Sequence, residues 1–435
     1  MSETASKPAR IFKPGVIQWI FGALLLIATL APIVSGGVTL VKVIALVVVM
    51  AAWAGWVWLQ PEGGRALIVP ALAVLTALVV GALVIVVIGS TRQVPISDRL
   101  LLAVRGYAAL VDGAFLKQGA LSETLVAATP LILTGLAVAL GFRSGLFNIG
   151  AEGQYLIGAV CGVFVGYAMQ LPPVLHAIVA LLAGALGGAV WGAIPGILKA
   201  KRGAHEVITT IMMNYVAILL TDWLVHGPMK DPAGASTIRT PTIYPSANIA
   251  TFHELFPTLF EASDRLHLGL VLALLISVGV WYLLWKTTIG FELRTSGANP
   301  NAARYAGVRS TWTIVLAMAL SGALAGLAGT IEVQGLNRNL PAFFSAGYGF
   351  DAIAIALLGQ NHPFGVVLAS FLFAALTTGS DLLQIRTGVS NYLVSIIQAL
   401  ILLFVAAPAM IRWVYRLKAR ATDVDEVQMT RGWGG

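Results

Sequence analysis

Eleven apolar runs follow one another along this chain, each close to the ~20 residues that a helix needs to cross a bilayer. They lie at 16–34, 38–59, 66–89, 123–141, 146–169, 174–198, 205–225, 267–286, 311–332, 363–380 and 389–411, with a shorter run at 348–360. Lipid offers no partner to free backbone groups, so runs of this kind fold as helices. A mean hydropathy of +0.87, 11% charged residues and 46 glycines in 435 positions exclude an ordinary soluble domain. The expected fold is all-α: a polytopic integral membrane protein of about 11–12 transmembrane segments, one of them short or discontinuous. The first run is too long for a signal-peptide core and is followed at once by another, so it is read as a retained span. The single cysteine, Cys161, lies inside an apolar run, which rules out an intrachain disulfide.

The net charge of +8 is a topology signal here and does not point to nucleic acid. With the N-terminus inside and the spans alternating, 17 of the 27 Lys and Arg residues fall on inside segments and 9 on outside ones, with Lys42 at a span boundary. The outside cations are also interleaved with Asp98, Asp112, Asp231, Glu254, Glu261 and Asp264. The positive-inside rule then places both termini in the cytoplasm.

The two longest connections, 90–122 and 226–266, fall outside. In the first, Leu100, Val104, Tyr107, Val111 and Phe115 make a helical stripe. It fits a helix lying on the outer membrane face or one packed on the span ends. The second holds five prolines and reads as irregular. Span 174–198 carries Gly184, Gly188, Gly192 and Gly196, one every fourth residue, and Gly322 and Gly326 repeat the device in span 311–332. Such stripes let neighbouring backbones approach closely and speak for helix packing, not for a ligand. Trp53, Trp56, Trp58, Trp281 and Trp285 cluster at span ends and read as interface belts.

Two places break the helical pattern at membrane depth. One is GFRSGLFNIGAEGQ (141–154); the other is SAGYGFD (345–351), which leads into the short run ending near Gly359. Glycine-interrupted segments in paired positions are the sequence mark of transporter halves. Glu152 and Asp351 are the acids beside these breaks. Each either faces a water-filled path or caps a half-helix N-terminus. Asn148, Gln154, Asn214 and Tyr215 offer uncharged hydrogen bonds, suited to a neutral polyhydroxylated or amide-bearing solute or, alternatively, to bonds between helices. No phosphate-binding loop, metal-ligand spacing or nucleophile–base pair occurs, so the chain itself does not read as an enzyme. Glu206, near a helix start, is accounted for by the helix dipole.

The segment GFELRTSGANPNAARYAGV (290–308) is a polar, basic island between two long apolar runs. It must stand outside the bilayer, and the charge asymmetry puts it in the cytoplasm. Asn299-Pro300 gives a helix start, Ala302 and Ala303 continue it, and Gly307 ends it. The island reads as a docking surface for something soluble.

Three segments carry a resemblance. TGLAVALGFRSGLFNIGAEGQYLIGA (134–159), LKAKRGAHEVITTIMMNYVA (198–217) and the island resemble permease subunits of ATP-binding-cassette importers of the simple-sugar and nucleoside branch, a group related to ribose and branched-chain amino-acid permeases. YGFDAIAIALLGQNHPFGVVLA (348–369) supports the match, which runs from about Glu123 to about Pro408. The resemblance implies a domain order of generic N-terminal spans with the outer amphipathic segment (1–122), a permease core (123–411) and a cytoplasmic tail (412–435). It implies a translocation path near Asn148, Glu152, Gln154, Asn214, Tyr215 and Asp351. It makes the island a coupling loop, with Glu292, Arg294, Asn299, Pro300, Ala303, Arg304 and Gly307 meeting a cytoplasmic ATPase. The implied partners are that ATPase, which would carry the ATP and magnesium, a second permease, an extracytoplasmic substrate-binding lipoprotein and membrane lipid; no cofactor belongs to this chain. The implied location is a bacterial plasma membrane. A nucleoside is the expected solute. Ribose-like sugars or branched-chain amino acids are alternatives, as is an ion-coupled transporter, which would leave the island without a task.

Overall fold

The computed structural model describes residues 68–91, 95–233, 237–258, 260–345 and 347–416. The apolar runs at 16–34 and 38–59, the tryptophans at 53, 56 and 58, and the tail beyond 416 lie outside the described residues.

Among the described residues the regular elements are helices, with only two isolated β-bridges beside them. In chain order they are α1 (Ile68–Thr91), α2 (Ile96–Val111), α3 (Ala120–Arg143), α4 (Ala151–Ala168), α5 (Leu175–Arg202), α6 (Glu206–His226), α7 (Gly269–Lys286), α8 (Thr288–Ala298), α9 (Pro300–Tyr305), α10 (Ser310–Glu332), α11 (Tyr348–Leu358), α12 (Pro363–Thr387), α13 (Tyr392–Ala406) and α14 (Pro408–Val414). Seven are long and apolar enough to cross a membrane: α1, α3, α5, α6, α7, α10 with its π-helical extension to Asn337, and α12.

Two expected spans differ from that simple picture. The run at 146–169 becomes α4, an 18-residue helix that starts only at Ala151, with Glu152 and Gln154 in its first turn. The run at 389–411 is not one helix. It bends by 89° between α13 and α14, where Pro408 starts a new helix and has no N–H to continue the old one.

The centre of the bundle is α10, packed on α3, α4 and α5. The glycine stripes meet there as expected. A methyl group at Gly188 would land on the Gly322 carbonyl oxygen, and one at Gly322 on the Gly188 carbonyl. Lipid tails are as apolar as leucine, so helices in a membrane associate through such close packing and not through exclusion from water. α3 is buried along nearly its whole length, whereas α1, α5 and α6 keep broad apolar faces on the periphery.

Leu100, Val104 and Val111 are exposed, while the small residues Ala103, Gly106 and Ala109 are buried against neighbours. α2 leans on α1 and α12: the Tyr107 hydroxyl donates to the Leu78 carbonyl (2.5 Å), and Asp112 pairs with Arg386 (2.5 Å). The connection 227–268 is irregular, as its prolines suggest, apart from a 3-10 turn at Pro245–Ala247 and an α-helical turn at Phe252–Leu255 held by a Thr251–Glu254 capping box. It lies against 338–342, the stretch that leads into α11, through Thr240 N to Leu340 O (3.0 Å) and Ile243 N to Arg338 O (2.8 Å).

Trp281 and Trp285 are corrected from interface belts to packed residues. Trp281 is buried beside Phe364, and Trp285 lies between charged and aromatic neighbours at the end of α7.

The glycine contact makes a test. Gly188→Val overpacks the α5–α10 seam and should cost about 1–3 kcal/mol, read as a lower unfolding midpoint in detergent. Gly279→Ala, where nothing lies within 4 Å of the added methyl, should not lower the midpoint.

Candidate functional site

Both sequence breaks are breaks in the structure. α3 ends at Arg143, and residues 144–150 run without regular structure to the start of α4. α10 ends in the π turn Val333–Asn337, and the chain returns through 338–347 to start α11. A helix start leaves its first N–H groups unpaired. Inside a membrane, protein must supply the acceptors.

Glu152 supplies them for α11. Its carboxylate, on the first turn of α4, accepts from Ser345 Oγ (2.6 Å), Gly347 N (3.2 Å) and Gly349 N (2.7 Å). It is fully buried. The two half-helix N-termini therefore meet at one carboxylate, each presenting its positive dipole end. Contact there is backbone to backbone: a methyl at Gly349 would fall on the Glu152 main chain. Capping is thus the observed geometry of Glu152, but the helix it caps is the other half-helix, 195 residues further along. Asp351 lies half-buried in the first turn of α11.

The amides hold the first break. Asn148 Nδ2 donates to Gln154 Oε1 (2.9 Å) and to Ser321 Oγ (2.8 Å), and its Oδ1 accepts from Gly150 N (2.9 Å) and Gln154 Nε2 (3.2 Å). The Ser321 hydroxyl in turn donates to the Ala137 carbonyl (2.6 Å). Asn214, from α6, accepts from Gly153 N (2.8 Å) and donates to Ile149 O (2.8 Å). Asn148, Gln154 and Asn214 are all buried. In this conformation their hydrogen bonds join α3, α4, α6 and α10 around the break. Tyr215 stands apart, 61% exposed on the outer side of α6. Next to the meeting point, Tyr155 is buried, stacked on Phe344 (5.5 Å between centroids) and edge-on to Tyr348 (5.7 Å).

The island 290–308 is more helical than its sequence suggests. α8 fills its first part, held by the Thr287 cap on Gly290 N (3.0 Å). Asn299 caps α9 through Asn301 N and Ala302 N (3.0 Å each), with Pro300 in the first turn. Gly307 takes a left-handed φ of 85° after it, a conformation that costs glycine little. Asn299, Pro300, Arg304 and Gly307 are exposed, and Tyr305 is 99% exposed. Ala303 is fully buried and packs the element onto the body, so it is not part of the outer surface. Glu292 and Arg294 are half-buried, and Arg294 donates to the Leu284 carbonyl (2.8 Å).

Sequence reasoning did not single out Ser321, Ser345 or Tyr155. A lone serine or tyrosine in an apolar run gives no signal until its partner is known. Glu206 forms an ion pair with Lys199 (2.6 Å) at the basic end of α5, apart from the break. Among the described residues no group of His, Cys, Asp and Glu is placed to hold a metal ion.

A buried bundle with two half-helices meeting head to head, and a helical element standing off one end, defines a polytopic membrane permease. The chain belongs to the family described as the permease component of branched-chain amino acid transport systems, whose model matches residues 120–406. It is 42% identical to the guanosine ABC transporter permease protein NupP of Bacillus subtilis, over 82% of this chain and 98% of that one. It is 38% identical to a glucose ABC transporter permease protein of Haloferax volcanii (77% and 86%) and 32% identical to the nucleoside ABC transporter permease protein NupB of Lactococcus lactis (85% and 98%). No solved structure matches the chain.

Glu152→Ala should orphan two backbone donors and the Ser345 hydroxyl, at about 1–3 kcal/mol for each group left unsatisfied. Thermal unfolding of the purified protein should show the loss. Glu152→Gln, which keeps an acceptor oxygen, should lose less.

Proposed function

We propose that this chain is the membrane-spanning subunit of an ATP-driven importer for nucleosides, with both termini and the α8–α9 element in the cytoplasm of a bacterial cell. ATP and magnesium are held and used by a separate ATPase. A second permease completes the path, and an extracytoplasmic lipoprotein receptor delivers the solute. The breaks at 144–150 and 338–347 shape the path, with Asn148, Gln154, Asn214 and Asp351 setting its polarity. α8 and α9 dock in the ATPase, presenting Asn299, Pro300, Arg304 and Tyr305. Closure of the ATPase on ATP favours one orientation of the spans over the other, and that differential affinity drives the cycle.

One observation carries the choice of solute. The convergent helix N-termini, which in other transporters attract an anionic group of the solute, are already occupied: that of α11 by the carboxylate of Glu152 and that of α4 by the amide oxygens of Asn148 and Asn214. A solute with its own carboxylate would meet Glu152 and Asp351 and be repelled. An uncharged ribose and base avoid that repulsion and the cost of burying a net charge. This disfavours an amino-acid cargo, and the guanosine and nucleoside permeases among the relatives support the same reading. A neutral hexose satisfies the same electrostatics, and the glucose permease relative makes it the second reading.

Uptake of labelled guanosine should depend on this chain and on the ATPase, and excess unlabelled nucleoside should compete. Competition by glucose and not by nucleosides would replace the first reading with the second. Competition by leucine would remove the electrostatic argument. Asn148→Ala leaves the buried Gly150 N–H and the Gln154 amide without their partner, at about 1–3 kcal/mol for each group left unsatisfied, and should lower uptake while the ATPase still co-purifies.

The docking face has its own test. A cysteine replacing Tyr305 should react with a membrane-impermeant thiol reagent in inside-out vesicles only, and the bound ATPase should protect it. Arg304→Glu should uncouple transport from ATP hydrolysis while the permease stays folded. Labelling of intact cells would invert the orientation. Normal uptake in Arg304→Glu would remove α9 from the interface.

A further inference from the structure

The end of α3 is also where the docking element touches the body. Arg143 is the last residue of α3, and break 144–150 starts after it. A methyl at Gly297, in the last turn of α8, would strike the Arg143 carbonyl, and one at Gly145 would lie 2.8 Å from the Gly297 Cα. The main chain of α8 thus lies directly on the start of the first break. No side chain stands between them to yield when α8 moves.

The Arg143 side chain reaches the second break. Its Nε donates to the Asn361 carbonyl and its terminal nitrogen to the Gln360 carbonyl, both at 3.0 Å. Gln360 and Asn361 form the turn that ends α11, and both have left-handed φ angles, 56° and 50°. Consecutive left-handed residues that are not glycine persist only where their surroundings hold them. The Asn361 Oδ1 atom is buried without a hydrogen-bond partner, so this side chain's oxygen does not hold the turn.

Trp285 completes the arrangement. The Arg143 guanidinium lies 5.5 Å from its ring centroid, and the Arg294 guanidinium of α8 lies 5.6 Å from the same ring. His362, next in the turn, contacts the ring at 5.0 Å. Burial and the Arg143 charge push the His362 imidazole down to about 3, so it adds no further positive charge. Two guanidiniums on one indole repel each other, and among the described residues neither forms an ion pair with a carboxylate. The ring quadrupole holds them together.

We propose that Arg143 and Trp285 form the joint through which displacement of the docking element reaches both broken helices at once. α8 moves Arg143 through the Gly297–Gly145 contact and through the shared ring. Arg143 carries the start of the first break with it and pulls the left-handed turn at the end of α11. The N-termini of the two half-helices, tied by Glu152, then move as a unit. Arg143 is a positioning residue: it acts through the turns it holds. The inference rests on the docking reading of α8 and α9.

The test uses the complete transporter in proteoliposomes, with ATPase co-purification, basal ATP hydrolysis, solute-stimulated hydrolysis and uptake measured together. Arg143→Gln and Trp285→Leu should retain the ATPase and its basal hydrolysis. They should lose the solute-stimulated increment and lower uptake by about tenfold, the scale of an allosteric coupling. Trp285→Phe keeps a ring for the two cations and should recover most of the stimulation, which a purely volumetric role would not require of it over leucine. Wild-type uptake and stimulation in Arg143→Gln would overturn the joint, as would equal behaviour of the Phe and Leu variants. Should Arg143→Gln fail to assemble, the Trp285 pair decides. Failure of the docking reading is separate: it shows as normal uptake in Arg304→Glu, a residue outside the joint.

Discussion

A helix that stops inside a membrane leaves backbone donors that lipid cannot satisfy, and here one carboxylate meets that need. Glu152 belongs to the first turn of α4 and caps α11, so the start of α11 is complete only with α4 beside it. The rest of the site follows from this tie. Asn148 and Asn214 satisfy the backbone on the other side of the break and fasten it to α6 and α10. A network so fully paired holds one geometry, because any single displaced partner leaves a buried polar group unpaired.

The tie requires the surrounding helices to come very near, and glycine makes that possible. α4, α5 and α10 meet through Gly158, Gly188, Gly322 and Gly326, with no side chain between the backbones. That proximity brings Ser321 within 2.8 Å of Asn148 and fixes the depth at which the break is held. The same use of glycine recurs where α8 meets the end of α3, with Gly297 lying on Gly145. Close backbone contact therefore both builds the bundle and joins it to α8.

The electrostatics of the site bear on cargo and on cycle together. An internal carboxylate at paired helix N-termini uses up the positive potential that would attract an anionic solute. On the proposed reading a neutral solute binds there through shape and hydrogen bonds, contributions small enough to be reversed when the half-helices move. Where α8 meets α3 the charge is of the opposite sign: Arg143 and Arg294 share Trp285.

Composition and pattern determined the class of fold, the positions of most spans, the two breaks and the helix start at Asn299-Pro300, because each depends on local chemistry: apolar length, glycine interruption, capping. The glycine stripe on α5 was legible for the same reason, since a four-residue period marks one helix face. The partners across space were not. That Glu152 caps α11 and not its own helix, that Ala303 faces inward while Tyr305 stands in solvent, and that Tyr215 turns away from the break where Asn214 enters it all depend on how helices far apart in sequence pack. Trp285 reads as an interface residue from its place at a span end, yet its ring lies between two arginines brought from α3 and α8. Periodicity places a side chain on a face of its own helix. Only the tertiary structure decides what that face meets, because the decision rests on contacts between backbones that no local pattern encodes.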